Sequence, residues 1–192
     1  MTEFLQPTAF WFLRHGETDW NARGLSQGNV DIPLNETGVA QARAAALLMR
    51  GKGVASIVSS PLSRARDTAN MVGAALGLPV AIEHDLHEVS FGAQEAQPMA
   101  GEWFKERVAG ARTPEGAETF TELRARAVAA INRALRQPFP VLVVAHGALF
   151  RALRAEMGLE ANVKAANAVP MLCSPGAAPS HLPWELAPSI PA

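Results

Sequence analysis

The sequence is short of the features that mark secreted, membrane and disulfide-rich proteins. Among its 192 residues there is one cysteine, Cys173, so no internal disulfide can form, which is consistent with a reducing cytoplasm. No apolar run approaches the ~18 residues that a transmembrane helix needs. The segment before Arg14 contains the acidic Glu3 and has neither a basic region nor a small-residue cleavage site. We therefore expect no signal peptide and a cytoplasmic location.

An excess of charge of one sign is also lacking. The chain has 17 lysine and arginine residues against 18 aspartate and glutamate residues, which gives a formal net charge of -1. No basic field or polybasic cluster therefore favours binding to nucleic acid or to an anionic membrane. A local cationic pocket is still compatible with this balance. The length fits a single domain over residues 1–192, and no pattern indicates the oligomeric state.

Short apolar runs alternate with helical patterns along the chain. We predict strands at 9–13, 55–60, 79–83, 141–145 and 168–172, with one edge strand near 184–186. We predict helices at 36–50, 61–76, 118–137 and 148–157. This alternation favours an α/β fold, a three-layer sandwich with a mostly parallel central sheet and helices on both faces.

The longest irregular stretch covers residues 91–118 and contains one weak helical piece near 101–111. Irregular segments of this length within a compact domain are often lids or binding loops. We therefore expect this segment to close over a site and to determine which substrate is bound.

Polar side chains follow three of the predicted buried strands. Arg14 and His15 follow the first strand, Arg64 lies shortly after the second, and His146 and Gly147 follow the strand at 141–145. Ligands of such sheets bind beyond the carboxyl ends of the strands, so these residues can share one pocket. Guanidinium groups match phosphate oxygens, and glycine lets the backbone approach closely. A helix beginning near Ala148 would direct its positive end to the same place, so the sequence predicts a site for a phosphoryl group.

A neutral imidazole can attack phosphorus and hold the phosphoryl group as a covalent intermediate. The departing alkoxide then needs a general acid, and Glu88 is the leading candidate because it follows the third strand. Glu83, Asp85 and Glu95 are the alternatives nearby.

Three less specific readings stay open. Arg64 could simply pair with Asp67 on its own helix. Glu88 could be a solvated loop carboxylate, and Asn21 and Gln27 could be turn residues.

Four ordered blocks resemble those of the histidine phosphatase superfamily, and more narrowly the branch that contains cofactor-dependent phosphoglycerate mutases and related phosphatases. The first block is Arg14-His15-Gly16-Glu17-Thr18, followed by Trp20-Asn21, Gln27-Gly28, Asp31-x-Pro33-Leu34 and Gly38-x-x-Gln41-Ala42. The others are Ser59-Ser60-Pro61-Leu62-x-Arg64-Ala65-x-x-Thr68-Ala69, Leu86-x-Glu88 with Gly92, and Val144-Ala145-His146-Gly147. Together they span about residues 10–155 in the family's order.

The resemblance implies a role for each matching residue. His15 would be phosphorylated, with the side chains of Arg14, Arg64 and His146 around the phosphoryl group. Asn21 and Gln27 would contact the phosphate, and Glu88 would act as acid and then as base. The resemblance also implies a small phosphorylated metabolite as substrate, and neither a metal nor another cofactor.

The chain departs from the mutases at several positions. Phe91 stands where they usually have tyrosine, and Ala148 where they have asparagine. Their paired arginines have no clear counterpart, although Lys105, Arg107 and Arg112 are candidates. We therefore expect a phosphatase that acts on a small phosphomonoester. A phosphoglycerate mutase is the alternative, and a non-catalytic phospho-ligand binder is a third hypothesis.

Overall fold

The computed structural model describes residues 3–99 and 103–189, and a six-stranded sheet lies at its centre. The strands are β1 Phe10–Arg14, β2 Ser56–Ser59, β3 Val80–Ile82, β4 Val141–Ala145, β5 Met171–Ser174 and β6 Glu185–Pro188. Their order in the sheet is β3-β2-β4-β1-β5-β6. The first four strands along the chain are parallel, whereas β5 and β6 are added in antiparallel pairings. The sheet is thus mostly parallel, as predicted.

Helices cover both faces of this sheet. They are α1 Asp19–Ala22, α2 Glu36–Met49, α3 Ser63–Leu76, α4 Trp103–Val108, α5 Phe120–Ala134 and α6 Gly147–Glu156. Side-chain caps fix where two of the long helices begin. Asn35 accepts a hydrogen bond from the Gly38 amide at α2, and Thr119 forms a capping box with Glu122 at α5. Gly77 ends α3 in the left-handed conformation that glycine adopts without strain.

Alternating side chains of the central strands enter two hydrophobic cores. Phe10 and Phe12 of β1 pack with α5 and α6, and the Phe12 ring stacks on Phe150 of α6 at 4.2 Å between centroids. Trp11 and Leu13 point to the opposite face and pack with α2 and α3. This two-residue period gives the α/β sandwich its three layers.

The fifth strand does not lie where the sequence predicted it. The predicted strand covered residues 168–172, but β5 begins at Met171. Ala168 has a positive φ of 50°, and its amide donates to the Arg14 carbonyl instead of to a strand partner. Pro170 has no amide hydrogen to donate. These two residues therefore delay the start of the strand.

The carboxyl ends of β1, β2 and β4 meet at one rim of the sheet. Arg14 is in register with Ala145, and Ser59 is in register with Val144. The polar residues that follow each strand therefore begin at the same edge, as predicted. No helix in the described ranges is long and apolar enough to cross a membrane.

Candidate active site

A cavity of about 390 Å³ opens at this rim of the sheet. Seven of the eight residues predicted for the site line it: Arg14, His15, Asn21, Gln27, Arg64, Glu88 and Gly147. The eighth, His146, is fully buried, and its ring centroid lies 5.2 Å from that of His15. The structure therefore brings all eight residues together although they are spread over more than 130 positions of the chain.

The hydrogen bonding of His15 leaves one ring nitrogen able to attack a substrate. Its Nδ1 lies 2.6 Å from the Gly16 carbonyl, which can only accept a hydrogen bond, so Nδ1 carries the proton. Nε2 of the neutral ring then keeps its lone pair. Burial first, and then the charges of Arg14 and Arg64, hold the pKa of His15 well below its ordinary value. At neutral pH the ring is therefore uncharged, which is the form that can act as a nucleophile.

His146 is held by Ser60, the residue that follows β2. The His146 Nε2 lies 2.6 Å from the Ser60 hydroxyl oxygen, which also accepts a hydrogen bond from the Leu62 amide. The hydroxyl hydrogen is thus available to Nε2, which places the proton of the neutral ring on Nδ1. Burial, followed by the charge of Arg64, keeps the pKa of His146 well below its ordinary value.

Both arginines are fixed by backbone carbonyls. The Arg14 Nη1 donates to the Ala165 carbonyl at 2.8 Å, and the two Nη atoms of Arg64 donate to the Val30 and Gly28 carbonyls, each at 2.8 Å. Burial lowers the pKa of Arg14 to about 10, so its side chain stays charged at neutral pH.

Among the eight residues predicted for the site, three buried nitrogens have no hydrogen-bond partner in the described part of the protein. They are the Nε atoms of Arg14 and Arg64 and the Nδ1 atom of His146. Buried polar atoms are nearly always paired, so donors of this kind call for an acceptor. Three N–H donors beside a neutral imidazole suit the oxygens of a phosphoryl group.

Two glycines are required by close approaches at the site. A Cβ on Gly147 would lie 3.2 Å from the Arg14 Nε, so glycine leaves that guanidinium room. A Cβ on Gly16 would lie 2.4 Å from the Gly38 carbonyl oxygen, where α2 packs against the loop after β1.

Glu88 lies at the first turn of α6, where its carboxylate accepts backbone hydrogen bonds. Its Oε2 accepts from the Ala148 amide, and its Oε1 accepts from the Leu149 and Val89 amides, all at 3.0 Å. The positive end of α6 thus holds a protein carboxylate at the cavity wall. Gly147 and Ala148 at this helix start also line the cavity, so the positive end of α6 lies at the predicted place.

The alternative acids are occupied elsewhere. Glu83 and Asp85 both pair with Arg133, at 2.9 and 2.5 Å, and the Glu95 Oε1 accepts hydrogen bonds from the amides of Asn29 and Phe91. None of the three carboxylates lines the cavity.

Arg64 does not make the alternative pair with Asp67 either. Asp67 lies beside Arg66, with 3.8 Å between the charged atoms, whereas the Arg64 side chain is fully buried at the cavity.

Asn21 and Gln27 combine turn geometry with a place in the cavity wall. Thr18 caps α1, with its backbone amide donating to the Asn21 Oδ1 and its hydroxyl donating to the Gln27 Oε1 at 2.8 Å. Neither side-chain amide nitrogen donates a hydrogen bond to a residue in the described ranges. Both nitrogens therefore remain available to an acceptor in the cavity.

Residues 10–174 match the histidine phosphatase superfamily, branch 1. The chain belongs to this superfamily. A relative from Yersinia pestis (strain Pestoides F), named probable phosphoglycerate mutase GpmB, is 38% identical over 166 residues, which cover 80% of this chain and 77% of that protein.

Solved structures support the same assignment. The mycobacterial glucosyl-3-phosphoglycerate phosphatase in complex with VO3 has a TM-score of 0.77 and 30% identity, covering 94% of this chain and 97% of that one. A phosphoserine phosphatase from Entamoeba histolytica in complex with 3-phosphoglyceric acid has a TM-score of 0.78 at 22% identity, covering 95% and 97% of the two chains. The second likeness concerns the fold.

The 91–118 segment gives this chain a mostly apolar cavity wall, in which the buried Trp103 Nε1 has no partner among the described residues. Phe91, Met99, Trp103 and Phe104 line the cavity, while residues 100–102 lie outside the described ranges. The three cations of this segment that are candidates for the mutases' paired arginines do not line the cavity. Arg107 is buried and donates to the Glu118 carbonyl, Arg112 pairs with Glu106, and Lys105 is exposed.

The cavity has three polar residues that sequence reasoning missed, namely Arg151, Asn162 and Lys164. Arg151 lies four residues after Gly147, so the helical period of α6 places both on one face. That spacing is a signal from which Arg151 could have been found. Asn162 and Lys164 belong to an irregular loop and carry no comparable signal.

Over residues 3–99 and 103–189, no group of three or more histidine, cysteine, aspartate or glutamate side chains is arranged to hold a metal ion.

Proposed function

We propose that this chain hydrolyses a small phosphomonoester through a phosphohistidine intermediate on His15, without a metal ion. The observation that carries the proposal is the arrangement of His15 beside three unpartnered buried donors, on Arg14, Arg64 and His146. A neutral nucleophile next to fixed donors for the equatorial oxygens is what phosphoryl transfer requires.

In the first step the His15 Nε2 attacks phosphorus, and the bond between phosphorus and the ester oxygen breaks. Arg14 and Arg64 stabilise the charge on the transferred group, because their guanidiniums are already held in place by carbonyls. His146 donates from Nδ1, since Ser60 occupies its other nitrogen.

Glu88 protonates the leaving oxygen in this proposal. Its Oε2 accepts one backbone hydrogen bond, so a second lone pair on that oxygen can carry the proton. In the second step Glu88 takes a proton from water, which attacks phosphorus while the P–N bond breaks. Inorganic phosphate leaves, and His15 returns to its neutral form.

Two relatives point to the two possible fates of the phosphoryl group. The Yersinia relative is named a probable mutase, and the mycobacterial relative a phosphatase. We favour hydrolysis because the segment at 91–118 contributes apolar side chains to the cavity wall and no cation in its described part. A mutase must retain a product with two phosphates and a carboxylate, which calls for more donors than this wall supplies.

The test is a screen of phosphorylated metabolites and p-nitrophenyl phosphate for phosphate release, with EDTA present throughout. We expect release that is unaffected by EDTA and abolished in His15→Ala. The control is His84→Ala, which replaces an exposed imidazole outside the cavity and should keep wild-type activity. Full activity in His15→Ala would refute the nucleophile. Tight binding of phosphomonoesters without any release would favour the non-catalytic binder.

A further inference from the structure

Two cations at the cavity have no hydrogen-bond or ion-pair acceptor among the residues that the structure describes. The Arg151 guanidinium lies 3.9 Å from the centroid of the Phe104 ring, and it makes no hydrogen bond or ion pair with residues in the described ranges. The Lys164 ammonium likewise has no partner there. Both side chains therefore have all their polar donors available to a ligand.

The backbone ties both residues to the phosphoryl site. Arg151 lies one helical turn after Gly147, the residue that packs against the Arg14 guanidinium. Lys164 adjoins Ala165, whose carbonyl accepts the hydrogen bond from the Arg14 Nη1. Asn167, in the same loop, donates to the His15 carbonyl at 2.9 Å. Arg151 and Lys164 therefore lie on segments that contact Arg14 or His15, and their side chains line the same cavity.

The charges in the cavity wall are unbalanced. Its described residues supply four cations, Arg14, Arg64, Arg151 and Lys164, and one carboxylate, Glu88. Partial burial and then the charges of Arg14 and Arg151 lower the pKa of Lys164, and burial lowers the pKa of Arg151. A phosphoryl dianion leaves about two positive charges uncompensated while Glu88 carries its proton, and about one when Glu88 is ionised, so a second anionic group would offset charge in either state.

We propose that Arg151 and Lys164 bind a carboxylate of the substrate, so that the substrates are small phosphorylated carboxylic acids. This proposal rests on the proposed function and names its substrate class. The planar fork of Arg151, braced by the Phe104 ring, matches the two oxygens of a carboxylate. The cavity of about 390 Å³ is near the small end of ligand pockets, and Phe91 and Trp103 enclose the carbon skeleton.

The experiment compares kcat/KM for substrates that differ in one group. 3-Phosphoglycerate carries a carboxylate where glycerol 3-phosphate carries a hydroxymethyl group and where glycerol 1,3-bisphosphate carries a phosphorylated hydroxymethyl group. We expect the wild-type protein to prefer 3-phosphoglycerate over glycerol 3-phosphate by about tenfold to hundredfold, since hydrogen bonds between charged groups contribute on that scale.

Variants assign this preference to the two cations. Arg151→Met and Lys164→Met should each lower kcat/KM for 3-phosphoglycerate by about tenfold and leave glycerol 3-phosphate hydrolysis nearly unchanged. Arg151→Lys keeps the charge but not the fork, so it should show a smaller loss. The matched control is Arg43→Met, which changes an exposed arginine of α2 outside the cavity and should keep the wild-type preference.

The outcomes separate this proposal from the proposed function. Equal losses on both substrates, or a wild-type protein without preference, would overturn the carboxylate subsite. A stronger preference for the bisphosphate would overturn it in favour of a second phosphate. If no monoester, including p-nitrophenyl phosphate, is hydrolysed, the proposed function fails. In that case calorimetry measures the binding of 3-phosphoglycerate and of glycerol 3-phosphate. If the carboxylate subsite exists, Arg151→Met must abolish any selective binding of 3-phosphoglycerate.

Discussion

Two buried imidazoles, His15 and His146, lie next to each other at the rim of the sheet, with 5.2 Å between their ring centroids. No carboxylate in the described ranges is hydrogen-bonded to either ring. Neutral partners fix both rings: the Gly16 carbonyl holds one and the Ser60 hydroxyl holds the other. Burial and the neighbouring arginines therefore decide their protonation, and both factors disfavour the charged form.

The protein should lose stability in mild acid because of these two residues. Unfolding restores a histidine pKa near about 6.5, so below that pH the unfolded chain binds more protons than the folded one. The free energy of unfolding should fall as the pH drops, by up to about 1.4 kcal/mol per pH unit for each histidine. Urea unfolding between about pH 7.5 and about pH 5.5 measures this slope.

A matched pair of variants isolates the effect of His15. His15→Asn should reduce the slope of stability against pH, whereas His84→Asn, at an exposed position, should retain it. An identical slope in His15→Asn and in the wild-type protein would show that His15 does not titrate as its burial predicts.

The residue types of the phosphoryl site were predictable from sequence, and those of the carboxylate subsite were not. Arg14, His15 and His146 follow buried parallel strands, whose ends must converge. Lys164 reaches the cavity because its loop is anchored by the hydrogen bond from Arg14 to Ala165. That contact joins residues 151 positions apart in the sequence, so no local sequence pattern predicts it.

At the scale of elements, the start of α6 and the loop after β3 form one unit around Glu88. Two amides of α6 donate to its carboxylate, and Arg126 of α5 donates to the carbonyls of Asp85 and His87 in that loop. Arg126 also pairs with Glu118 at 2.7 Å. The position of the proposed acid is thus fixed by two helices.

Replacing Glu88 with glutamine should slow turnover most for poor leaving groups. A positioned acid contributes about 10²–10⁴-fold, so Glu88→Gln should lose activity in that range on an alkyl phosphate. The loss should shrink on p-nitrophenyl phosphate, whose leaving group needs little protonation. Because the carboxylate also caps α6, a stability loss of about 1 kcal/mol should accompany the change.

Kinetics on both substrates check this role. Glu95→Gln is the control, since Glu95 lies near the site but does not line the cavity, and it should retain both rates. An equal loss on both substrates in Glu88→Gln would mean that Glu88 does not protonate the leaving group.

The fifth strand shows why element boundaries are harder to predict than elements. Its apolar run is visible in the sequence, but its start depends on Ala168, whose amide bonds to the Arg14 carbonyl. The same contact anchors the loop that carries Lys164. The apolar run at 168–172 therefore predicted a strand, but a tertiary hydrogen bond determines where that strand begins.

At the scale of the whole molecule, a hydrophobic core packs on each face of the sheet, and the cavity opens at the rim where β1, β2 and β4 end. The 91–118 segment supplies apolar side chains to this cavity. We expect this segment to act as a lid. That residues 1–192 form a single domain stays a prediction, and so does the cytoplasmic location. The sandwich was predictable because strand and helix periods differ. In the 91–118 segment only the weak helical piece near 101–111 was predictable, and it corresponds to α4 Trp103–Val108. The rest of the segment follows neither period.

The balance between hydrolysis and transfer follows from the cavity wall. With 3-phosphoglycerate and a trace of 2,3-bisphosphoglycerate, we expect phosphate release to exceed interconversion of 2- and 3-phosphoglycerate. The reason is that Arg151 and Lys164 can offset one further anionic group, whereas a mutase must hold two. Product analysis over time measures the ratio, and rapid interconversion with little free phosphate would contradict the expectation.

The measurement that tests the account most directly is the chemistry of the phosphorylated protein. The protein is mixed briefly with a phosphomonoester that it hydrolyses, and the reaction is quenched in alkali. The protein should then carry one phosphoryl group on His15. The label should survive alkali and be lost in acid, as expected of phosphohistidine, and His15→Ala should not be labelled. A label that survives acid, or one that persists in His15→Ala, would contradict the account.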